Sequence, residues 1–313
     1  MTNSQKPKAI AIVGPTASGK TALSIALAKE FNGEIISADS RQVYRGLDIG
    51  SAKVTPNEMD GVPHHLIDIV EPTTVYTGAD FKRDGERTLN DITERGHFPI
   101  VAGGTFFYLE LLKGTMQSAP VPPNPTLRAI LEEKSNEELF SELQGKDPRR
   151  AETIDPDNPR RLIRALEVID AIGVVPEIQT HELPYDWLTI GIDVPTEILN
   201  ERIHQRIIDR LKIGMIEEVE SLHKNGLSWE RLEAIGLEYR YLAYYLQNKL
   251  SKEDMVEQLT NKSRQFAKRQ RVWLKRDQTI HWLPFPADTN EATALVKEFL
   301  AKDWVTSLSS NID

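Results

Sequence analysis

Residues 14–21 read GPTASGKT, the G-x-x-x-x-G-K-T spacing of a phosphate-binding loop. No other stretch constrains the fold as strongly, because such a loop needs a strand ending just before it and a helix opening within it. Both are written into the flanks. KAIAIVG (8–14) is a buried-strand run of apolar and β-branched residues, and GKTALSIALAKEFNG (19–33) sets Leu23, Ala26, Leu27 and Phe31 in helical register before Gly33 closes the helix. In that setting Gly14, Pro15, Thr16, Ala17, Ser18, Gly19, Lys20 and Thr21 form a phosphate cradle. Backbone N–H groups wrap the oxygens at the positive end of a helix, Lys20 adds a full charge, and the Thr21 hydroxyl is placed to hold Mg2+. The loop announces phosphate and is silent about which phosphate.

Further strands follow. EIISADS predicts one over 34–37 that delivers Asp39 at its C-terminal end. HFPIVAGGT predicts another at Ile100–Ala102, after a polar helix at 79–95, and LTIGIDVP a fourth at Leu188–Asp193. Strands alternating with helices predict an α/β fold, a P-loop NTPase-like parallel sheet flanked by helices. The pattern breaks at SAPVPPNPT (118–126), where four prolines mark a boundary. Residues 127–183 then read as short charged helices, and the chain after Pro195 as mostly helical. The expected organisation is a core of residues 1–120 and 186–313, with a mostly helical insertion domain at 121–185.

With 313 residues and 40% apolar content, the chain can bury a normal core across two such parts. The absence of cysteine excludes disulfides, thiolate metal sites and a cysteine nucleophile. The polar start MTNSQKPKAI lacks a secretory signal and no apolar run spans a bilayer, so a cytoplasmic protein with no membrane partner is expected. The net charge of −9 disfavours a uniformly basic nucleic-acid binder. It leaves room for local clusters, because exposed charges are screened beyond about 8 Å at physiological salt.

Asp39 follows the strand next in sequence to the loop, so its carboxylate is expected in the crevice at the sheet's C-terminal edge, as a metal ligand or general base. A helix N-cap is the competing use. Gly103-Gly104-Thr105 also follows a strand; two glycines admit close backbone approach and Thr105 offers a hydroxyl. Arg202, Arg206 and Arg210 share one helix face, which on spacing alone reads as solvated. KSRQFAKRQRVWLKR (262–276) holds seven Lys or Arg and no acid, with Arg264, Lys268, Arg271 and Lys275 on one helical stripe and Phe266, Gln270 and Trp273 on another. A basic ridge backed by aromatic anchors is an electrostatic footprint for nucleic acid. Arg160, Arg161 and Arg164 form a second cluster, in the insertion. His64 and His65 are adjacent in an extended segment, so their side chains diverge and they do not share a metal; they read as crevice or packing residues.

Taken in order, GPTASGKT, ISADSRQVYRGLDIGSAK, VPHHLIDI, GGT, NPRRLIRALEV and RQFAKRQ resemble the tRNA dimethylallyltransferases, from residue 9 to about 276. The resemblance implies transfer of a five-carbon prenyl group from dimethylallyl diphosphate to the exocyclic amine of the adenosine 3′-adjacent to the anticodon in tRNA, assisted by Mg2+. It implies that the 14–21 loop grips the diphosphate, that Asp39 orients the amine and takes its proton, that Thr105 lies in the reaction channel, and that Arg206 steadies the leaving group. It further implies that tRNA is touched by Asp39, Ser40, Arg41, Gln42, Thr105, Arg128 and the run Arg160, Arg161, Leu162, Ile163 and Arg164, with Arg264, Lys268, Arg271 and Lys275 in the same set. A monomer is expected. Two positions depart from the family pattern: Phe106 stands where a glycine is usual, and AIGLEY (234–239) replaces AIGYKE. Bulk at Phe106 is expected to narrow the prenyl pocket or displace a loop. The rival functions are prenylation of free adenine nucleotides, phosphorylation of a small metabolite, and non-catalytic RNA binding.

Overall fold

The computed structural model describes residues 6–116, 119, 121–177 and 184–309, the last seven through backbone alone. Ser118 and Pro120 of the expected boundary, residues 178–183 at the far end of the insertion, and the first five residues lie outside this set. The chain runs β1 (Lys8–Val13), α1 (Lys20–Glu30), β2 (Gly33–Ser37), α2 (Pro56–Met59), β3 (His64–His65), α3 (Gly78–Glu94), β4 (Phe98–Ala102) and α4 (Phe106–Lys113). Four helices follow, α5 (Pro125–Glu132), α6 (Asn136–Lys146), α7 (Pro148–Ala151) and α8 (Pro159–Ile172). After β5 (Asp186–Asp193) come α9 (Thr196–Lys212), α10 (Met215–Lys224), α11 (Trp229–Ile235), α12 (Leu237–Leu246), α13 (Lys252–Leu274), β6 (Ile280–Pro284) and α14 (Thr289–Ser309).

All strand pairs are parallel, in the order β3-β2-β4-β1-β5-β6. Parallel strands covered by helices are buried on both faces, so they read as continuous apolar runs. The period of two still sorts them. Ile10 and Ile12 of β1 join one core with Ile35, Ile100 and Ile190, while Ala9, Ala11 and Val13 face the opposite core with Ile36, Val101 and Phe81. The order places the C-terminal ends of β2, β4 and β1 side by side. The segments leaving those ends carry Asp39, Gly103–Thr105 and the 14–21 loop, so topology alone gathers them at one sheet edge.

Two strands escape the sequence reading, which has the chain mostly helical after Pro195. IHWLP forms β6, pairing with β5 from Thr189↔Ile280 to Asp193↔Pro284. The proline is tolerated because the strand ends there, on the sheet's edge. β3 is only two residues long, and its His65 Nε2 lies 2.6 Å from Oε2 of the buried Glu34. His64 Nδ1 meets the Val62 carbonyl at 2.9 Å. Among the described residues no helix is long and apolar enough to cross a membrane.

The chain separates into two compact units, Met1–Gly114 with Leu183–Asp313, and Thr115–Glu182. The smaller unit has its own core of Leu131, Leu139, Leu143, Leu162, Ile163 and Leu166. Among the described residues it also buries the carboxylates Asp147 and Glu167, the latter 1% exposed. Arg128 grips Glu167 with two bonds (2.8 and 2.9 Å), Arg164 with a third (2.5 Å), and the Asn124 amide with a fourth (2.6 Å). Burial alone would raise this carboxyl's pKa; the arginine and amide hydrogen bonds outweigh it and hold the pKa at about 2. Stability from a depressed carboxylate is present above its unfolded pKa and is lost as pH falls through the folded value. Glu167→Gln is therefore expected to destabilise the smaller unit by about 3–5 kcal/mol, because two arginines lose their counter-charge. Denaturant melts at pH 7 check the size, and the deficit should shrink as pH falls from about 4 towards 2.

Candidate active site

The phosphate loop leaves β1 at Gly14 and enters α1 through Gly19, whose φ of 94° is left-handed and suits glycine. Ala17 also takes a left-handed φ, 62°, unusual for a residue with a Cβ. The first turn of α1 has no side-chain cap, unlike those of α3, α6 and α8. Its outward N–H groups therefore form the positive end of the helix dipole, a seat for an anion. Lys20 Nζ donates to the Gly14 and Pro15 carbonyls at 2.9 and 2.8 Å, which folds the side chain back over the loop.

Three arginines of α9 line the other side. Arg202 Nε donates to the Ala17 carbonyl (2.8 Å), Arg206 Nη1 reaches the Thr16 hydroxyl (3.4 Å), and Arg210 Nη1 donates to the Gly50 carbonyl (2.7 Å). The solvated-face reading is thus corrected for Arg206 and Arg210, which are drawn in against the loops, while Arg202 stays exposed. Spacing identifies a shared face but not what that face packs against.

Burial and the neighbouring Arg206 pull the Lys20 pKa down to about 7, against the pull of Asp39. Burial and Arg210 bring Arg206 to about 10. Cations crowded in this way favour a multiply charged anion, which stabilises both protonated forms. Only protonated Lys20 attracts phosphate, so diphosphate affinity is expected to fall by up to about tenfold per unit as pH rises above about 7. Calorimetric titration with inorganic diphosphate between pH 7.5 and 9 checks this, with proton uptake on binding; an ordinary lysine would give no such slope until about pH 10.

Asp39 and Thr105 are stitched together. Thr105 N donates to the Ala38 carbonyl (3.0 Å), Ser40 N to Thr105 Oγ1 (3.0 Å), and Thr105 Oγ1 to Ser40 Oγ (3.2 Å). Gly103 is required here, since a Cβ would lie 2.2 Å from the Ala38 carbonyl oxygen. Asp39 Oδ1 accepts from Arg41 N at 2.8 Å, an Asx turn in place of the helix cap that was its competing reading. The turn is anchored behind by Gln42, which accepts from Ser37 Oγ (2.9 Å) and donates to the Ala52 carbonyl (3.2 Å).

Both departures from the family pattern turn inward. Phe106 is 8% exposed and packs in the core facing α3, so its bulk enters the interior while the Gly103–Thr105 turn keeps its bonds to Ala38 and Ser40. Tyr239 of AIGLEY is fully buried and donates to Glu218, whose carboxylate accepts from the Asp48, Ile49 and Gly50 amides behind the Asp39 turn.

The basic helix α13 is sorted by its neighbours. Ser263, Ala267, Gln270 and Leu274 are buried. Arg264 and Arg271 flank that line: Arg271 pairs with Asp193 (3.1 Å) and Thr196 (2.6 Å), and Arg264 reaches towards the Asn200 carbonyl. Lys268 and Lys275 are exposed, as are Arg269 and Arg276. Those two arginines stack over Phe266 and Trp273 at 5.9 and 5.7 Å. Phe266 is 40% exposed, so the aromatic-anchor reading is corrected for it, and Gln270 turns out to be the buried member of that stripe. In the smaller unit Arg160 and Arg161 are exposed. Leu162 and Ile163 are core residues, so the expected tRNA contact from their side chains is corrected. Arg128 and Arg164 are tied to Glu167.

The sequence profile described as IPP transferase matches residues 42–277, and one described as Isopentenyl transferase matches residues 7–74. The chain belongs to the IPP transferase family. Among curated members of this family, the tRNA dimethylallyltransferase of Anoxybacillus flavithermus is 41% identical, covering 90% of this chain and 92% of its own. The tRNA dimethylallyltransferase 2 of Treponema denticola is 45% identical, over 87% and 93%. Among solved structures, the full-length tRNA isopentenylpyrophosphate transferase of Bacillus halodurans superposes with a TM-score of 0.73 at 34% identity, covering 98% of this chain and all of that one. A eukaryotic dimethylallyltransferase described as acting on tRNA gives 0.81 at 29% identity, over 94% and 80%. The P-loop-like α/β fold and the enzymatic, prenyl-transferring character of the family follow from these matches.

Proposed function

We propose that the protein transfers a dimethylallyl group from dimethylallyl diphosphate to the exocyclic amine of the adenosine 3′-adjacent to the anticodon in tRNA. The observation that carries this reading is the convergence of an uncapped phosphate loop, Lys20 and Arg206 on one side with the Asp39–Thr105 turn on the other, in a member of a family of tRNA-modifying enzymes. The nitrogen attacks the prenyl carbon as the carbon–oxygen bond breaks, the diphosphate departs with the electron pair, and Asp39 takes the proton released from the amine. Residues 14–21, Lys20 and Arg206 face the charge that grows on the departing group, where each preorganised donor contributes about 3 kcal/mol. Thr105 orients the acceptor side through Ser40.

Mg2+ fits this site as a substrate-borne ion. Thr21 is exposed at the first turn of α1, and among the described residues no group of three or more acidic or histidine side chains could hold a metal unaided. Thr21 would hold such an ion beside the donor's phosphates, and the ion would supply charge neutralisation there.

The acceptor adenine must leave its stack to enter the channel, which costs least in a loop. Exposed Lys268 and Lys275 of the larger unit, and exposed Arg160 and Arg161 of the smaller, each supply phosphate contacts in this reading. Lys268→Ala and Lys275→Ala should each reduce the slope of log affinity for tRNA against log salt by about 0.7 to 1. Filter binding across a salt series reads this, and an unchanged slope would count against the ridge. The function itself is tested by incubating the protein and Mg2+ with prenyl-labelled dimethylallyl diphosphate and either unmodified tRNA or AMP. Label in tRNA is the expected result. Label only in AMP would favour free-nucleotide prenylation, and label in neither would remove both readings.

A further inference from the structure

One buried residue of the basic helix, Gln270, has no charge and no place in the chemistry described above. Gln270 is 5% exposed, and its carboxamide bridges two loops that leave neighbouring strands of the sheet, β1 and β4. Its Oε1 accepts from Thr16 N at 2.9 Å, inside the phosphate loop, and its Nε2 donates to the Gly104 carbonyl at 2.8 Å, one residue before Thr105. A backbone N–H can only donate and a carbonyl only accept, so the two partners fix the amide's orientation without ambiguity. The chain of bonds continues on both sides. Arg206 reaches the Thr16 hydroxyl, while Thr105 binds Ser40, which follows Asp39. A continuous path therefore runs from the diphosphate loop through Gln270 to the acceptor-side turn, with α13 as its rigid support. The Thr16 amide, held by Gln270, serves as a fixed point of the loop.

We propose that Gln270 is a positioning residue that sets the distance and angle between the prenyl donor, held by the phosphate loop, and the acceptor amine, held at Asp39 and Thr105. The inference rests on the prenyl-transfer reading and deepens it. Bond formation requires the carbon and the nitrogen to approach in line, and a displacement of about 1 Å can cost 10²-fold in rate without loss of binding. Each loop keeps its own ligand contacts when Gln270 is changed, so the effect falls on their mutual placement.

The test compares wild type with Gln270→Met, which keeps the length and loses both bonds, and Gln270→Glu, which keeps the acceptor and loses the donor at neutral pH. Steady-state transfer from dimethylallyl diphosphate to tRNA is measured with direct tRNA binding and the folded fraction of each preparation. The expected result is a kcat lowered about 10²-fold in the methionine variant, with the donor KM and tRNA Kd within about threefold of wild type. In the glutamate variant, kcat relative to wild type should recover as pH falls and the carboxyl regains a proton to donate to Gly104. Values of kcat within threefold of wild type in both variants would overturn the proposal. So would losses that track the folded fraction or appear equally in binding, with no recovery at low pH. Absence of transfer by wild-type protein would overturn the prenyl-transfer reading and this proposal together.

Discussion

Replacing Asp39 with alanine is expected to lower kcat for prenyl transfer by about 10²- to 10⁴-fold, the range for a lost general base. Affinity for tRNA should stay within about threefold of wild type. The separation follows from the geometry: Asp39 is one member of a turn whose shape is held by Thr105, Ser40 and Gln42. One bond in that turn, from Arg41 N to Asp39 Oδ1, is lost with the side chain. The expected tRNA contacts on the exposed cations of α13 lie elsewhere. Asp39→Asn keeps an acceptor for Arg41 N and removes the basicity, so it should fall nearly as far in kcat. Asparagine activity close to wild type would show that Asp39 shapes the turn and moves no proton.

Arg206→Ala is expected to reduce kcat by about 10²- to 10³-fold, with a smaller rise in KM for the diphosphate donor. Arg206 is partly enclosed beside Lys20 and Arg210, and burial brings its pKa to about 10. A cation held partly out of solvent responds to charge growing on the leaving group more than to charge already present on the bound donor. Removing it also relieves Lys20, whose pKa burial and the neighbouring Arg206 charge hold down. The variant should therefore shift the pH dependence of diphosphate binding upward from about 7. Single-turnover rates and binding across pH 6–9 separate the two effects. A change in KM alone would indicate that Arg206 binds donor and transition state equally.

What could be read from the chain divides by the range of the interactions involved. The phosphate loop was legible because strand, glycine and helix lie within about 25 consecutive residues and each needs only local chemistry. Asp39 and Thr105 were legible for a similar reason, each following a strand of recognisable composition. The α9 arginines were legible as a face but not as a partner, because the object they meet, the loop at Ala17 and Thr16, lies 185 or more residues away. Arg128 and Arg164 show the converse. Arg128 enters the RNA set through the family resemblance and Arg164 as one of a cluster of cations, yet Glu167, three residues after Arg164, claims both. Leu162 and Ile163 were carried into the tRNA set by their place in a motif, although their apolar side chains already spoke for a core. β6 was hidden by a short run ending in proline inside an otherwise helical region. Gln270 reads only as a member of the Phe266 and Trp273 stripe, since an uncharged amide shows its importance only through partners at Thr16 and Gly104, 254 and 166 residues distant.

The most direct test follows both halves of the donor. Dimethylallyl diphosphate labelled separately in the prenyl carbons and in the diphosphate is incubated with the protein, Mg2+ and unmodified tRNA, without ATP. The account predicts that prenyl label appears on the adenosine beside the anticodon in step with free diphosphate, one for one. Phosphate label on a product, a requirement for ATP, or release of diphosphate with no prenyl on tRNA would contradict it.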